Sequence, residues 1–314
     1  MKLLFLGPKL SFDRINKELS QSIDLRFCTS NKEQIKKSIC EADGLIDASM
    51  KNKIDKSIID IATNLRVIST ATTGYDHIDS EYAKNKGVKI FSIKEDKDLL
   101  KELTPAAELT WTLLLSVSRN IIAASNHVNS GKWNREMFPG VMLNGKNIGI
   151  VGCGRIGQWV SRYANAFGMN IYGYDPFLKK WPKEIIKTDL ENLFKVSDFV
   201  TIHVHLSDDT KGLISKKLLK KAKHNLILIN TSRGEIIDED YLLECLKNKE
   251  ILGAGLDVLN GEPKTSDHPL VNYSKNHDNL IITPHCGGFS YDAVNIVCKR
   301  AVEKAVNFLS NCNE

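Results

Sequence analysis

The sequence predicts an α/β protein with two domains, each built on a doubly wound parallel sheet. The chain has 314 residues and 42% of them are apolar, which suffices for two cores. Short aliphatic runs alternate with amphipathic stretches from end to end, as expected when helices connect parallel strands. The long apolar stretch 99–118 separates an earlier series of strands from a later one, and it indicates where the first domain ends.

The first series contains five predicted strands, separated by segments of helical spacing such as 31–40. The strands are 3–6, 25–28, 45–47, 67–70 and 89–92. The stretch 99–118 then contains a long, largely buried helix whose start is marked by Thr104 and Pro105. Such a helix is a suitable connection between two domains.

The second series contains six predicted strands, at 148–151, 171–174, 199–204, 226–230, 254–258 and 280–283. Six strands with intervening helices match a doubly wound dinucleotide-binding domain. The tail 290–314 has apolar residues at helical spacing and predicts a single helix. One helix is too small to be a domain, so we expect it to pack on the first unit.

Composition argues against several other classes of protein. The net charge of +5 is modest, and the basic stretch 216–223 reads as the solvent face of an amphipathic helix, so we expect no nucleic-acid partner. The seven cysteines lack metal-ligand spacing and predict neither a disulfide framework nor a zinc site. No stretch approaches the roughly 18 apolar residues of a membrane span. The first apolar run is too short for a signal peptide, so we expect a soluble, cytoplasmic protein.

A glycine-rich turn directly follows the first strand of the second series and precedes a predicted helix. In this order, Gly152 permits a tight turn, Gly154 admits a pyrophosphate, and Gly157 lets the helix pack on the strand. The helix N-terminus favours the anion. Asp175 lies 18 residues beyond Gly157, where a carboxylate accepts hydrogen bonds from ribose hydroxyls and repels a 2′-phosphate. NAD is therefore favoured over NADP, although the lysines at 179–180 leave some NADP tolerance open.

Three predicted strand ends of the second domain carry groups suited to reducing a keto acid. That reaction needs a carboxylate anchor, a cation to polarise the carbonyl, and a proton donor that titrates near neutral pH. Arg233, Glu262 and His285 each follow a different strand, and such ends meet at one sheet edge. Each alone could be an ordinary loop residue, but together they predict a catalytic site. His203 and His205 alternate at another strand end, but without a third ligand they predict no metal site.

These segments resemble the D-isomer-specific 2-hydroxyacid dehydrogenase family, which includes D-lactate, D-3-phosphoglycerate, glycerate and formate dehydrogenases. The likeness covers nearly the whole chain and is carried by 70–79, 107–109, 145–157, 230–234, 257–263 and 283–288. It implies a discontinuous, flavodoxin-like substrate domain at 1–101 and 285–314, and a Rossmann NAD-binding domain at 102–284. It also implies an active site in the cleft between the domains and a homodimer joined through the cofactor domain.

The resemblance also implies a role for each site residue. Arg233 would bind the substrate carboxylate and polarise the carbonyl, and His285 would be the acid in reduction and the base in oxidation. Glu262 would orient His285 and stabilise its imidazolium. Further substrate contacts are expected from Ser49, Thr73, Gly74 and Tyr75. Cofactor contacts are expected from Arg155 and Ile156 at the pyrophosphate, Asp257 at the nicotinamide carboxamide, Val204, His205, Thr210 and Thr231 at the ribose and adenine sides, and Ser232.

Two departures from the family pattern bear on cofactor and substrate. His205 stands where the family often has proline, so it replaces an apolar wall near the adenine. Ala48 stands where phosphoglycerate dehydrogenases usually offer an arginine, and Lys51 or Lys53 would supply only a mobile point charge. Because the sequence ends at Glu314, we also expect no regulatory domain. D-3-phosphoglycerate dehydrogenase, a glyoxylate or hydroxypyruvate reductase, and a non-catalytic NAD sensor similar to the C-terminal-binding corepressors remain open alternatives.

Overall fold

The computed structural model describes residues 1–29, 31–49 and 51–311. The chain divides into two compact units, of which unit 1 comprises Met1–Leu103 with Ser290–Glu314 and unit 2 comprises Thr104–Phe289. The assignment of 1–101 and 285–314 to substrate binding, and of 102–284 to NAD binding, concerns function and stays a prediction.

Unit 1 is built on a five-stranded parallel sheet in the order β2-β1-β3-β4-β5. The strands are β1 (Lys2–Leu6), β2 (Asp24–Cys28), β3 (Gly44–Asp47), β4 (Val67–Thr70) and β5 (Lys89–Phe91). This is the strand order of flavodoxin-like doubly wound sheets. It confirms the fold class that the alternating aliphatic and amphipathic runs predict for this part of the chain.

Both faces of this sheet are covered by apolar side chains. Because successive residues of a strand point to opposite faces, Leu3 and Phe5 pack in one core while Leu4 and Leu6 pack in the other. The helices of this part are α1 (Lys9–Glu18), α2 (Lys32–Ile39), α3 (Lys56–Ile59), α4 (Ser80–Asn85) and α5 (Lys97–Lys101). A sheet buried on both faces explains why its strands read as continuous aliphatic runs.

Unit 2 is built on a seven-stranded parallel sheet in the order β12-β11-β10-β9-β6-β7-β8. The strands are β6 (Asn147–Val151), β7 (Asn170–Tyr174), β8 (Ile185–Lys187), β9 (Phe199–Ile202), β10 (Ile227–Asn230), β11 (Gly253–Leu256) and β12 (Leu280–Ile282). The order reverses between β6 and β9, as in a Rossmann domain. The prediction of six strands was wrong by one, because β8 is a three-residue edge strand in which only Ile185 is buried.

The helices of unit 2 are α6 (Pro105–Ser118), α7 (Ile121–Asn129), α8 (Arg155–Ala166), α9 (Leu190–Val196), α10 (Lys216–Leu219), α11 (Glu239–Lys247) and α12 (Pro269–Ser274). Helix α6 begins at Pro105 with Thr104 as its N-cap, where the sequence places its start. The basic stretch 216–223 forms a helix for only four residues, with Leu218 and Leu219 buried. Its lysines lie on the surface side of that turn.

The C-terminal helix α13 (Tyr291–Asn311) belongs to unit 1 and buries one face in its core, including Ala301 and Ala305. Asp96 anchors it by accepting hydrogen bonds from Arg300 at 2.7 Å and from Lys304. Burial raises the pKa of the Asp96 carboxyl, but the hydrogen bonds from these two cations outweigh that effect and lower it. Across residues 1–29, 31–49 and 51–311, no helix combines the length and apolar character required to cross a bilayer.

Candidate active site

A glycine-rich turn joins β6 to α8. Gly152 has a φ of 90°, a region that side chains disfavour, and a Cβ there would lie 2.5 Å from the carbonyl oxygen of His203. At Gly157 a Cβ would lie 2.2 Å from the carbonyl oxygen of Gly152, so the helix approaches the turn at backbone distance. Packing within the protein therefore requires glycine at both positions.

Gly154 differs from these two glycines, because a Cβ there would meet nothing within 4 Å. It is the N-cap of α8, and among the described residues no side chain caps this helix and no acidic residue occupies its first turn. A helix N-terminus beside open space suits an anion such as a pyrophosphate. Ile156 packs partly against the core, so its backbone N–H is the group it offers to a phosphate. The turn fits a bound dinucleotide.

Arg155, the first residue of α8, is half-buried, and burial lowers the pKa of its guanidinium. An arginine nevertheless stays protonated in proteins, so a positive charge accompanies the helix N-terminus. This placement is consistent with the predicted contact between Arg155 and the pyrophosphate.

Asp175 lies directly after β7 and binds the turn itself. Its Oδ2 accepts a hydrogen bond from the N–H of Cys153 at 3.0 Å. Its Oδ1 accepts from the N–H groups of Phe177 and Leu178 at 2.9 and 3.1 Å. An ionised carboxylate has about four acceptor positions, so these three bonds leave capacity for a ribose hydroxyl. A pocket of about 430 Å³ beside it is lined by Tyr174, Asp175, Pro176, Lys187, Thr188 and Asp189.

The loop after β9 carries Val204, His205 and Thr210. Val204 lies against the turn, because a Cβ on Gly152 would be 2.8 Å from its Cγ1. The Thr210 hydroxyl donates to the carbonyl of His205 at 2.6 Å and accepts from the N–H of Ser207 at 2.8 Å. Thr210 therefore fixes the loop, and His205 is exposed.

His203 directly follows β9 and precedes Val204. Neither nitrogen of its buried ring has a hydrogen-bond partner among the described residues. Burial lowers the pKa of His203 to about 3, so its imidazole is neutral at physiological pH. Over residues 1–29, 31–49 and 51–311, no group of three or more His, Cys, Asp or Glu side chains is placed to hold a metal ion.

Thr231 and Ser232 follow β10, and both hydroxyls are used within unit 2. The Thr231 hydroxyl shares a hydrogen bond of 2.7 Å with that of Thr110, which lies 121 residues away on α6. The Ser232 hydroxyl donates to the carbonyl of Ile202 at 2.7 Å. No local pattern marks Thr110, so this contact could not be predicted from the sequence.

Asp257 organises the turn that carries His285. Its buried Oδ1 accepts from the Thr283 hydroxyl at 2.5 Å and from the N–H of Cys286 at 2.9 Å. Its Oδ2 accepts from the N–H of Gly287 at 2.7 Å, and its carbonyl accepts from the N–H of His285 at 2.8 Å. These bonds hold His285 at a φ of 51°, which is uncommon for a residue with a side chain. The family resemblance implies a nicotinamide contact for Asp257, but it does not indicate this structural role.

His285 forms a pair with Glu262. The Nδ1 atom of His285 contacts Oε1 of Glu262, and Oε2 of Glu262 accepts from the N–H of Leu259 at 3.3 Å. Both side chains of the pair are 31% exposed, so solvent or a ligand can reach them. Because Nδ1 faces the carboxylate, Nε2 is the ring nitrogen that can exchange a proton with a bound molecule. This geometry suits general acid–base catalysis.

Arg233 follows β10 and is half-buried, with its Nη1 donating to the carbonyl of Ser232 at 2.7 Å. The buried Asn230 side chain donates to the carbonyl of Arg233 at 2.8 Å and accepts from the N–H of Ser232 at 3.0 Å. A Cβ on Gly234 would lie 2.1 Å from the backbone nitrogen of Asn260. The turn that carries Arg233 therefore packs directly on the loop that carries Glu262.

The predicted substrate residues of unit 1, Ser49 and 73–75, lie in two loops that follow β3 and β4. The N–H and hydroxyl of Ser49 donate to Oδ1 of the buried Asp47 at 2.9 and 3.0 Å. Oδ2 of Asp47 pairs with Nε2 of His77 at 2.8 Å, and the Tyr75 side chain is 37% exposed. Asp47 thus links both loops, a role that the sequence did not predict. The substrate role of these loops stays a prediction.

Residues 111–287 match the model of a protein family described as D-isomer specific 2-hydroxyacid dehydrogenase, NAD binding domain. The matched segment contains the glycine-rich turn, Asp175, Arg233, Glu262 and His285. It covers more than half of the chain and most of unit 2.

Two relatives are similar over most of this chain. A D-3-phosphoglycerate dehydrogenase from Methanocaldococcus jannaschii is 39% identical over 83% of this chain and 49% of its own length. The chain therefore spans about half of that relative. A hydroxypyruvate reductase from Thermotoga maritima is 36% identical over 87% of this chain and 87% of its own.

The fold is similar to a crystal structure of D-lactate dehydrogenase from Aquifex aeolicus in complex with NAD and lactic acid. The TM-score is 0.83 at 25% sequence identity, covering 98% of this chain and 96% of that one. Likeness over nearly the whole of both chains extends the match beyond the cofactor-binding segment.

Proposed function

Since the chain belongs to the D-isomer specific 2-hydroxyacid dehydrogenase family, we propose that it interconverts a small 2-keto acid and its D-2-hydroxy acid with NAD as cofactor. The observation that carries the proposal is the contact between Glu262 and His285, which lies on the same unit as the glycine-rich turn. A carboxylate paired with a histidine that keeps one ring nitrogen for a ligand is suited to moving a proton.

The residues divide the work as follows. In reduction, Nε2 of His285 donates a proton to the carbonyl oxygen that becomes the hydroxyl, and in oxidation it takes the proton back. Glu262 orients the ring through Nδ1 and stabilises the imidazolium that precedes proton donation. Arg233 binds the substrate carboxylate and polarises the carbonyl with its planar fork of N–H donors. NADH supplies the hydride when it is bound.

The residues at the glycine-rich turn favour cofactor binding through their charges and through the open space beside Gly154. The N-terminus of α8 and the open space at Gly154 receive the pyrophosphate, with Arg155 contributing positive charge. Asp175 would accept hydrogen bonds from the adenosine ribose hydroxyls, and its negative charge would repel the 2′-phosphate of NADP.

Asp175→Asn is expected to raise the ratio of kcat/KM with NADPH to that with NADH by at least about tenfold, which corresponds to roughly 1.4 kcal/mol. Asparagine keeps an oxygen that can accept from the N–H groups of Phe177 and Leu178, while it removes the charge that repels a phosphate. Initial rates with both cofactors measure the ratio.

The matched control is Asp189→Asn. Asp189 lines the same pocket and caps α9, and asparagine caps helices equally well. An unchanged ratio in Asp175→Asn, or an equal change in the control, would contradict the role assigned to Asp175.

We propose an unphosphorylated substrate, with glyoxylate and hydroxypyruvate favoured over phosphohydroxypyruvate. The support is Ala48, whose methyl group offers nothing to a phosphate in the loop where family phosphoglycerate dehydrogenases usually place an arginine. That loop is also tightly packed, because a Cβ on Gly7 would be 2.9 Å from the Ala48 Cβ.

A panel of glyoxylate, pyruvate, hydroxypyruvate and phosphohydroxypyruvate, each with NADH and NADPH, tests both the activity and the substrate. We expect NADH oxidation with the unphosphorylated acids at a kcat/KM at least about tenfold above that of the phosphorylated one. A preference for phosphohydroxypyruvate would refute the substrate proposal. NADH binding without turnover of any acid would refute the enzyme and leave the NAD sensor.

We also propose that the chain forms a homodimer through α7 and the segment that follows it in unit 2. Helix α7 is apolar in composition, yet none of its residues is buried. Exposed apolar side chains concentrated in one segment of the chain indicate an interaction site. The exposed apolar side chains of this region are Ile121, Ile122, Val128, Trp133, Met137 and Met142. A second copy of the chain is the partner that the family resemblance implies.

Ile122→Lys is expected to convert the dimer to a monomer, because a charge would be buried without a partner at the interface. Sedimentation velocity at micromolar concentration measures the mass. Ile296→Lys is the matched control, since Ile296 on α13 is 47% exposed and Ile122 is 49% exposed. A wild-type monomer, or dissociation by the control alone, would contradict this interface.

A further inference from the structure

A second carboxylate–histidine pair lies next to the loop that carries Glu262. Glu239 is the first residue of α11, and its Oε2 contacts Nε2 of His268 at 3.1 Å. The two side chains are only 10% and 14% exposed. Neither is used in the proposed reaction, and neither belongs to the glycine-rich turn. A buried pair of this kind requires a reason, because desolvating a carboxylate is costly.

The tautomer of His268 is set by its other ring nitrogen. Nδ1 accepts from the N–H of Leu270 at 3.2 Å and so caps α12. When Nδ1 is an acceptor, the proton of the neutral ring lies on Nε2, which donates it to Glu239. The imidazole thus connects α12 to the carboxylate in one fixed orientation.

The other oxygen of Glu239 reaches the catalytic loop. Oε1 accepts from the N–H of Asn260 at 3.0 Å, and Asn260 is two residues before Glu262. The preceding residue, Leu259, donates its own N–H to Oε2 of Glu262. The Glu239 carboxylate therefore binds the backbone N–H of Asn260, next to Leu259, whose N–H binds the Glu262 carboxylate.

The turn that carries Arg233 packs against the same backbone. A Cβ on Gly234 would lie 2.1 Å from the nitrogen of Asn260 and 2.2 Å from the carbonyl carbon of Leu259. The segment 259–260 is therefore packed against Gly234 and hydrogen-bonded to Glu239. The contact with Gly234 is close packing, whereas the contact with Glu239 is a hydrogen bond that orients the peptide N–H of Asn260.

We propose that Glu239 and His268 are positioning residues that hold the loop 259–262 and thereby keep Glu262 oriented toward His285. The inference rests on the proposed role of Glu262. Burial raises the pKa of Glu239, whereas the Asn260 N–H and His268 oppose that effect by favouring the charged carboxylate. The pair acts on the reaction through Glu262 and does not itself meet the substrate.

Glu239→Ala is expected to lower kcat for keto-acid reduction at least about tenfold, while KM for NADH changes less than about twofold. It is also expected to move the alkaline limb of the pH profile of kcat/KM to lower pH, because a loosened Glu262 stabilises the imidazolium of His285 less well. Glu239→Gln keeps an oxygen for the Asn260 N–H and should restore much of the loss. His268→Asn keeps an acceptor for the cap of α12 and should shift the limb in the same direction.

Asp238→Ala is the matched structural control. Asp238 caps the same helix by accepting from the N–H of Tyr241 at 3.0 Å, so its loss lowers Tm but should leave the pH profile in place. If the Glu239 and His268 variants lower Tm but keep the wild-type profile, or if Asp238→Ala shifts it equally, the positioning role is refuted. If Glu239→Ala does not fold, the pH profiles of Glu239→Gln and His268→Asn test the positioning role instead. Failure of the proposed function would be visible beforehand, as a wild-type protein that reduces no keto acid.

Discussion

His285→Ala should lower kcat for keto-acid reduction by about 10²- to 10⁴-fold, the usual contribution of a positioned acid or base. Alanine removes the nitrogen that exchanges the proton and leaves Glu262 facing empty space. The backbone of residue 285 stays bound through its N–H to Asp257, so the turn and the nucleotide site should persist. Steady-state rates give kcat, and quenching of protein fluorescence by NADH gives the binding constant.

His224→Ala provides the control for this prediction, because His224 is an exposed histidine of the same unit outside the described site. Its kcat should stay within about twofold of the wild type. The kcat of Glu262→Gln should lie between those of His285→Ala and His224→Ala. The amide still orients the ring of His285 but no longer stabilises an imidazolium. Survival of most of the activity in His285→Ala would show that another group moves the proton.

The features that the sequence predicts are those encoded over a few neighbouring residues. The turn at Gly152, Gly154 and Gly157 is predicted to follow a strand and to begin a helix. In the structure it does lie between β6 and α8. The buried strands were also readable, because a sheet covered on both faces requires continuous aliphatic runs. Strand β8 was not predicted, because an edge strand of three residues needs little burial and so lacks a continuous aliphatic run.

The unpredicted features are contacts between residues far apart in the chain. Asp257 reaches the His285 turn across about 30 residues, and Glu239 reaches Asn260 across 21. An aspartate after a strand looks the same in the sequence whether it binds a ligand or its own backbone. Periodicity reports which residues are buried, but not which buried polar groups become partners.

Arg233→Lys is the second substitution with a large expected effect, a fall of about 10²- to 10³-fold in kcat/KM for the keto acid. Lysine keeps the positive charge but loses the planar fork that binds a carboxylate through two parallel hydrogen bonds. The turn itself should persist, because Asn230 and Gly234 fix it through the backbone of residues 232–234. NADH affinity should change little, and the loss should divide between a raised KM and a lowered kcat.

Added guanidinium provides a direct check on the chemistry of this position. In Arg233→Ala, the ion can occupy the vacated space and restore part of the lost rate, whereas ammonium of the same concentration should restore less, because it lacks the fork. If lysine at 233 supported near-normal kcat/KM, positive charge alone would be sufficient there. The carboxylate would then be anchored by other donors.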